Sequence, residues 1–323
     1  MRALCVFSGG LDSMLAAELI RAQGIDVQAL FFETPFFSSQ KAEKSAHHMD
    51  LPFKVIDITK RHLEIIRNPR HGYGGNMNPC IDCHILMFRI AGEMLEAEGA
   101  SFVLTGEVLG QRPMSQNKQS LTLIAIESGI QDLILRPLSA KNLPLTIPEE
   151  RGWVNRDKLV DFQGRSRKPQ IELARLLNIK EYPSPGGGCL LTEKAFSQRL
   201  RDLLDSKNGL DLKEIELLKF GRHFRIGSHT KAVVGRNKKE NQAILALAED
   251  KDLILTSAAV PGPTTVVSGD CSKKSLELAT TITAAYSDTE DSEATPVRII
   301  GKTEERILMT KVRNKEKFRR YMI

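Results

Sequence analysis

The chain has 323 residues, 41% hydrophobic and 27% charged, with a formal net charge of +6. That balance excludes a disordered chain and describes a folded protein too long for one ordinary core, so two domains are expected. No run approaches the ~20 consecutive apolar residues of a membrane span, and five cysteines behind an N-terminus without a signal-peptide pattern place the chain in a reducing cytoplasm.

In chain order, ALCVF (3–7) reads as a buried strand, followed by a glycine turn and an amphipathic helix over 11–24. VQALFF (27–32) is a second strand, and a helix follows over 38–49 with Ser38 or Ser39 as its cap. FKVIDI (53–58) is a third strand. A loop rich in Gly and Asn (70–79) leads into a helix over 83–99, then FVLTG (102–106) and LILRPL (133–138) are strands four and five. Strand and helix in alternation predict an α/β domain, a parallel sheet with helices on both faces.

The pattern changes at YPSPGGGC (182–189), a Pro/Gly-rich hinge. Two helices (196–204 and 212–220) and short strands at 223–227, 230–235, 252–257, 264–269, 297–301 and 305–312 make an α+β pattern. The expected division is 1–189 and 190–323. SDTEDSE (287–293) reads as a solvated loop, and the last 13 residues, with six Lys/Arg against one Glu, as a solvated tail or a phosphate-binding patch.

Ser8, Gly9, Gly10, Leu11, Asp12 and Ser13 join the first strand to the first helix. Glycines let backbone approach an anion, a helix start offers unpaired N–H groups, and serine hydroxyls add donors, so the loop is a phosphate site. With no lysine it is not a Walker loop. It resembles the SGGxDS motif of the PP-loop ATP pyrophosphatases, which implies a Rossmann-like domain, ATP and Mg2+, and adenylation of a substrate oxygen with Asp12 at the magnesium-bound phosphates. TGEVLGQ (105–111) with Ser115 and Gln116, and then LILRPLSAKNLP, resemble the tRNA 4-thiouridine synthases, and NPCIDCH (78–84) is similar to the loop of the tRNA 2-thiouridine synthases. The resemblance implies that Gly106, Glu107 and Gln111 line the nucleotide or base pocket, that tRNA is the partner, and that a cysteine desulfurase or inorganic sulfide donates sulfur. The RNA-binding domain that precedes the ATPase in that family and a rhodanese domain are not expected. FGRHFRIG followed by KAVVGRNKKENQAIL resembles the NFACT RNA-binding domain, with Arg222, Arg225, Lys231, Arg236, Lys238 and Lys239 as phosphate-contacting cations. Arg165, Arg167 and Lys168 form a second basic site that could meet tRNA or simply solvate a helix start.

Cys5 reads as core and Cys271 as a bystander, which leaves Cys80, Cys83 and Cys189. A zinc site would need His71 or His84 as fourth donor; a thioredoxin-like context for a redox dithiol is absent. Three thiolates suit a [4Fe-4S] cluster with one open iron, as in thiolases that carry a C-x-x-C and one distant cysteine, and this is favoured over persulfide chemistry on the same cysteines. Two other classes stay open: a PP-loop enzyme acting on a small metabolite, and a non-catalytic RNA-binding protein.

Overall fold

The apolar run at the N-terminus becomes the middle strand of a sheet. The computed structural model describes residues 1–184, 188–206, 211–289, 294–311 and 314–323; parts of the hinge (185–187), of the acidic loop (290–293) and of the basic C-terminal segment (312–313) lie outside them. The chain divides into two units, Met1–Thr192 and Glu193–Ile323.

In the first unit, β1 (Arg2–Val6), α1 (Leu11–Arg21), β2 (Asp26–Glu33), α2 (Gln40–His48), β3 (Phe53–Asp57), α3 (Thr59–Arg67), α4 (Cys80–Met94), β4 (Phe102–Thr105), α5 (Lys118–Ser128), β5 (Ile134–Leu135), α6 (Ile147–Glu150) and α7 (Lys168–Leu176) follow in order. The sheet order is β3-β2-β1-β4-β5 and every pairing is parallel. Strand alternation divides the core in two. Ala3, Cys5, Phe31, Phe102 and Leu104 face one side with Met14 and Leu15 of α1 and Ala174 of α7. Leu4, Leu30, Phe32 and Val103 face the other, with Ile85, Leu86 and Phe88 of α4 and Ile124 of α5. The chain winds outward from β1 in one direction to β3 and in the other through β4 to β5. The carboxyl ends of β1 and β4 therefore flank the crevice where open α/β sheets bind ligands.

Two local expectations are corrected. Strand five pairs only over Ile134–Leu135, because Pro137 has no N–H to extend the ladder. Ser39 precedes α2 without capping it; its N–H and hydroxyl both donate to Glu33 Oε1 at 2.8 Å. The basic C-terminal segment, whose reading as a solvated tail or a phosphate patch stays open, forms a 3-10 turn over Lys315–Tyr321, with Phe318 buried and the turn's basic residues exposed.

The second unit begins with α8 (Lys194–Ser206) and α9 (Leu212–Leu217). It continues with β6 (Arg222–Arg225), β7 (Lys231–Val234), α10 (Lys238–Leu247), β8 (Leu253–Ser257), β9 (Thr265–Ser268), α11 (Lys273–Ala285), β10 (Ala294–Ile300) and β11 (Glu305–Lys311). Its antiparallel sheet has the order β11-β10-β8-β9-β7-β6. Leu276, Ala279 and Ile282 of α11 fill one face with Phe224 and Leu255; Ile244 of α10 packs with Val233 and Val266 on the other. Among the described residues no helix is long and apolar enough to cross a membrane.

Phe102 is fully buried in β4 and stacks on Trp153 with ring centroids 6.5 Å apart. Phe102→Ala should lower the stability of the first unit by about 3–5 kcal/mol. Urea unfolding followed by fluorescence of Trp153, the one tryptophan of the chain, reads this directly.

Candidate functional site

The Ser8–Ser13 loop sits at the crevice because two glycines let three segments touch. Gly9 has φ +74°, and a Cβ there would fall 2.4 Å from Ala42 Cα, so α2 rests directly on the loop. Ser45 of α2 donates its hydroxyl to Gly9 O at 2.9 Å. A Cβ on Gly106, just beyond β4, would fall 2.4 Å from Ser13 N. Ser13 donates its hydroxyl to Gly10 O at 2.8 Å, and Ser8 Oγ lies 3.4 Å from Ser13 Oγ. Leu11 is buried as the first residue of α1. Gln111 Nε2 donates to Asp12 Oδ2 at 3.0 Å. Asp12 Oδ1 is buried with no hydrogen-bond partner, an orphan acceptor that suits a hard cation such as Mg2+. Burial pushes the Asp12 carboxyl up, against the opposing pull of Gln111, Arg167 and Arg112.

Glu107 is not a lining carboxylate. It is 3% exposed and accepts from Arg136 Nε at 2.9 Å, while its other oxygen lies 2.7 Å from His84 Nδ1. Burial opposes its charge, but Arg136 and His84 outweigh it and hold the carboxyl below its usual range. This network ties β4 to α4, the helix that begins at Cys80.

Cys80 is half-buried and its Sγ accepts from Asn78 Nδ2 at 3.2 Å. Cys83 is buried and hydrogen-bonded to His62 Nε2 at 2.8 Å. Its thiol is pushed well up, first by burial, then by the neighbouring Cys189 and Cys80. The segment that carries the third cysteine, Cys189, comes to the same part of the unit across more than a hundred residues. Backbone bonds anchor the third: Leu190 N donates to Phe36 O at 3.0 Å, Asn76 Nδ2 donates to Thr192 O at 2.8 Å, and the Phe36 ring lies 5.6 Å from that of His62. Cys5 is fully buried, and Cys271 lies in the second unit.

The two candidate zinc donors are engaged elsewhere, His71 with Asp82 at 3.0 Å and His84 with Glu107. Among the described residues no three His, Cys, Asp or Glu side chains gather as a metal-ligating group. Soft thiolates are the right donor type for an iron–sulfur cluster, but in this arrangement the three cysteines do not complete a ligand set.

The cations of the second unit divide. Arg225 Nε donates to Asp202 at 3.0 Å, and Lys231 lies 3.8 Å from the same carboxylate; burial pushes the Lys231 ammonium down to about 8. Arg222 lies over the Tyr286 ring at 4.8 Å, and Arg236 pairs with Glu240. Lys238 and Lys239 are exposed at the start of α10. In the first unit Arg165 and Lys168 are exposed, whereas Arg167 is half-buried near Asp12.

Residues 1–142 match the family model described as thiamine biosynthesis protein (ThiI), and residues 221–322 match that of the NFACT protein RNA binding domain. The first part of the chain is thus similar to ThiI, and residues 221–322 to the NFACT RNA-binding domain. A probable tRNA sulfurtransferase of Oceanobacillus iheyensis is 29% identical over 146 residues, 42% of this chain and 34% of that protein. The tRNA-specific 2-thiouridylase MnmA of Karelsulcia muelleri is 27% identical over 224 residues, 65% of this chain and 56% of that protein. The chain thus spans about a third to a little over half of these relatives. A solved 4-thiouridine synthetase–RNA complex with bound ATP is 19% identical, with a TM-score of 0.37, over 68% of this chain and 51% of that one.

Gly9→Ala should lower stability by about 1–2 kcal/mol from its left-handed backbone alone, with more from the contact on Ala42, measured by urea unfolding. His62 is held neutral by burial, its pKa moved down to about 4 from 6.5. Between these values the unfolded chain binds a proton that the folded chain does not, so stability rises with pH across that window and is lost as pH falls through it. His62→Gln should remove about one proton from this acid limb, read from thermal melts across pH 4–7.

Proposed function

We propose that the protein is an ATP-dependent tRNA sulfurtransferase that adenylates a uracil carbonyl and replaces its oxygen with sulfur. The observation that carries the reading is the union, within one unit, of the Ser8–Ser13 loop at the sheet crevice with the Cys80/Cys83 helix start and the Cys189 segment. The Glu107 network links the strand behind the loop to the cysteine helix.

ATP lies over Ser8–Ser13, where backbone N–H groups and serine hydroxyls donate to its phosphates. Gly106 leaves room for close packing behind the loop, and Gln111 orients Asp12. Magnesium, held by Asp12, neutralises phosphate charge when bound. The uracil oxygen attacks the α-phosphorus; a new P–O bond forms, the bond to the β-phosphate oxygen breaks, and pyrophosphate leaves with its electron pair. Sulfur, as sulfide or as a terminal persulfide sulfur, then attacks the activated carbon. The carbon–oxygen bond to AMP breaks and AMP leaves. When the sulfur arrives as a persulfide, a second cysteine attacks the bridging sulfur, and an external dithiol later reduces the disulfide. Cys80, the most accessible end of the C-x-x-C at a helix start, suits the carrier, since helix N-termini favour thiolate. Residues 221–322 bind the tRNA, with Lys238 and Lys239 as exposed phosphate contacts.

Incubation with ATP, magnesium, tRNA and sulfide should yield pyrophosphate and a thiouridine found by nucleoside mass spectrometry. Cys80→Ala, Cys83→Ala and Cys189→Ala should each lower thiolation about 100-fold or more while leaving pyrophosphate release intact. An unchanged thiouridine profile in tRNA from cells lacking the protein would overturn the reading. Iron and sulfide analysis after anaerobic purification tests the cluster expectation; iron-free protein that still thiolates tRNA leaves the persulfide route.

A further inference from the structure

The segment Gly164 to Lys168, read from the sequence as a tRNA contact or a solvated helix start, is held beside the segment that follows β4. Gly164 N donates to Leu109 O at 2.7 Å, and Leu109 pairs with Gln163 in a parallel bridge. Leu109 N in turn donates to Ser139 Oγ at 2.9 Å, and that hydroxyl donates to Phe162 O at 2.7 Å. Two chain segments are thereby joined side by side, one leading into Gln111 and Arg112, the other into Arg167. The first is fixed to the phosphate loop by the Gln111–Asp12 hydrogen bond. The second opens α7, whose Ala174 enters the same core as Leu11 and Met14 of α1, so both segments converge on the start of α1. Arg112 follows Gln111 directly in the first segment, and Arg167 is the residue that precedes α7 in the second.

The loop itself contains no cation. Its N–H groups and hydroxyls are neutral donors, and Asp12 brings a further negative charge to a ligand that already carries several. A polyphosphate held there needs compensating positive charge, and guanidinium forks match phosphate oxygens in pairs.

We propose that Arg112 and Arg167 form the pyrophosphate clamp of this site, gripping the β- and γ-phosphates of ATP. They stabilise the charge that grows as the bond between the α-phosphorus and the bridging oxygen breaks and its electron pair passes to the departing pyrophosphate. The clamp rests on the adenylation half of the proposed function and not on the tRNA or sulfur half.

Calorimetric titration of the full chain with magnesium pyrophosphate, beside filter binding of tRNA, tests it. Arg112→Gln and Arg167→Gln should each weaken pyrophosphate binding about tenfold or more and leave tRNA affinity unchanged. Arg112→Lys and Arg167→Lys, which keep the charge and lose the fork, should give intermediate losses and guard against a Gln variant that fails to fold. Failure of the unaltered protein to bind pyrophosphate overturns the clamp. So does an Arg167 variant that loses tRNA and keeps pyrophosphate. Arginine-dependent pyrophosphate binding in a protein that leaves tRNA thionucleosides unchanged would uphold the clamp and sink the thiolation reading alone.

Discussion

Glu107 holds the first unit's chemistry together. Its carboxylate is taken out of water by the strands around it, a state that persists only because Arg136 and His84 approach both oxygens. Removing one partner of such a buried set costs about 3–5 kcal/mol, because the charge left behind has no solvent. Arg136 follows β5, Glu107 follows β4 and His84 stands in the first turn of α4. One ion network thus fixes the end of the sheet and the cysteine helix in a common frame. The glycine at 106 completes the arrangement by letting the same strand end press on the start of α1.

The second unit uses positive charge differently. Asp202 receives Arg225 and stands beside Lys231, and Glu240 receives Arg236 along with the N–H groups of Gly221 and Arg236. These cations shape the turns and strand ends that display the exposed ones. Lys238 and Lys239 stay exposed to solvent, while Arg225 and Lys231 are answered by Asp202.

Elements with one dominant period were legible in the sequence. The first strand, its glycine loop and α1 follow from pattern and turn chemistry, and the family motifs fall where strands end. What was missed has a physical reason in each case. Helix α3 buries only His62 and Ile66, too thin a stripe to register. The buried face of α5 includes Ser120 and Ser128, and that of α11 includes Thr280 and Thr283, so polarity misreports their burial. His62 meets Cys83 through tertiary contact alone, with no local signal. The basic run at 165–168 advertised its charge, but nothing local announced that the adjoining Gln163 pairs with Leu109. Counting cations likewise could not separate those answered by Asp202 from those left in solvent.

The bond between His62 and Cys83 has one more consequence. Burial pushes the thiol up and the imidazole down, so the pair rests as two neutral groups rather than an ion pair. A neutral thiol is a poor nucleophile and a slow target for peroxide or alkylating agents. At rest Cys83 is therefore chemically quiet and shielded from stray oxidation. Its reactivity awaits an event that lets a proton leave, and the imidazole 2.8 Å away is already in position to receive it.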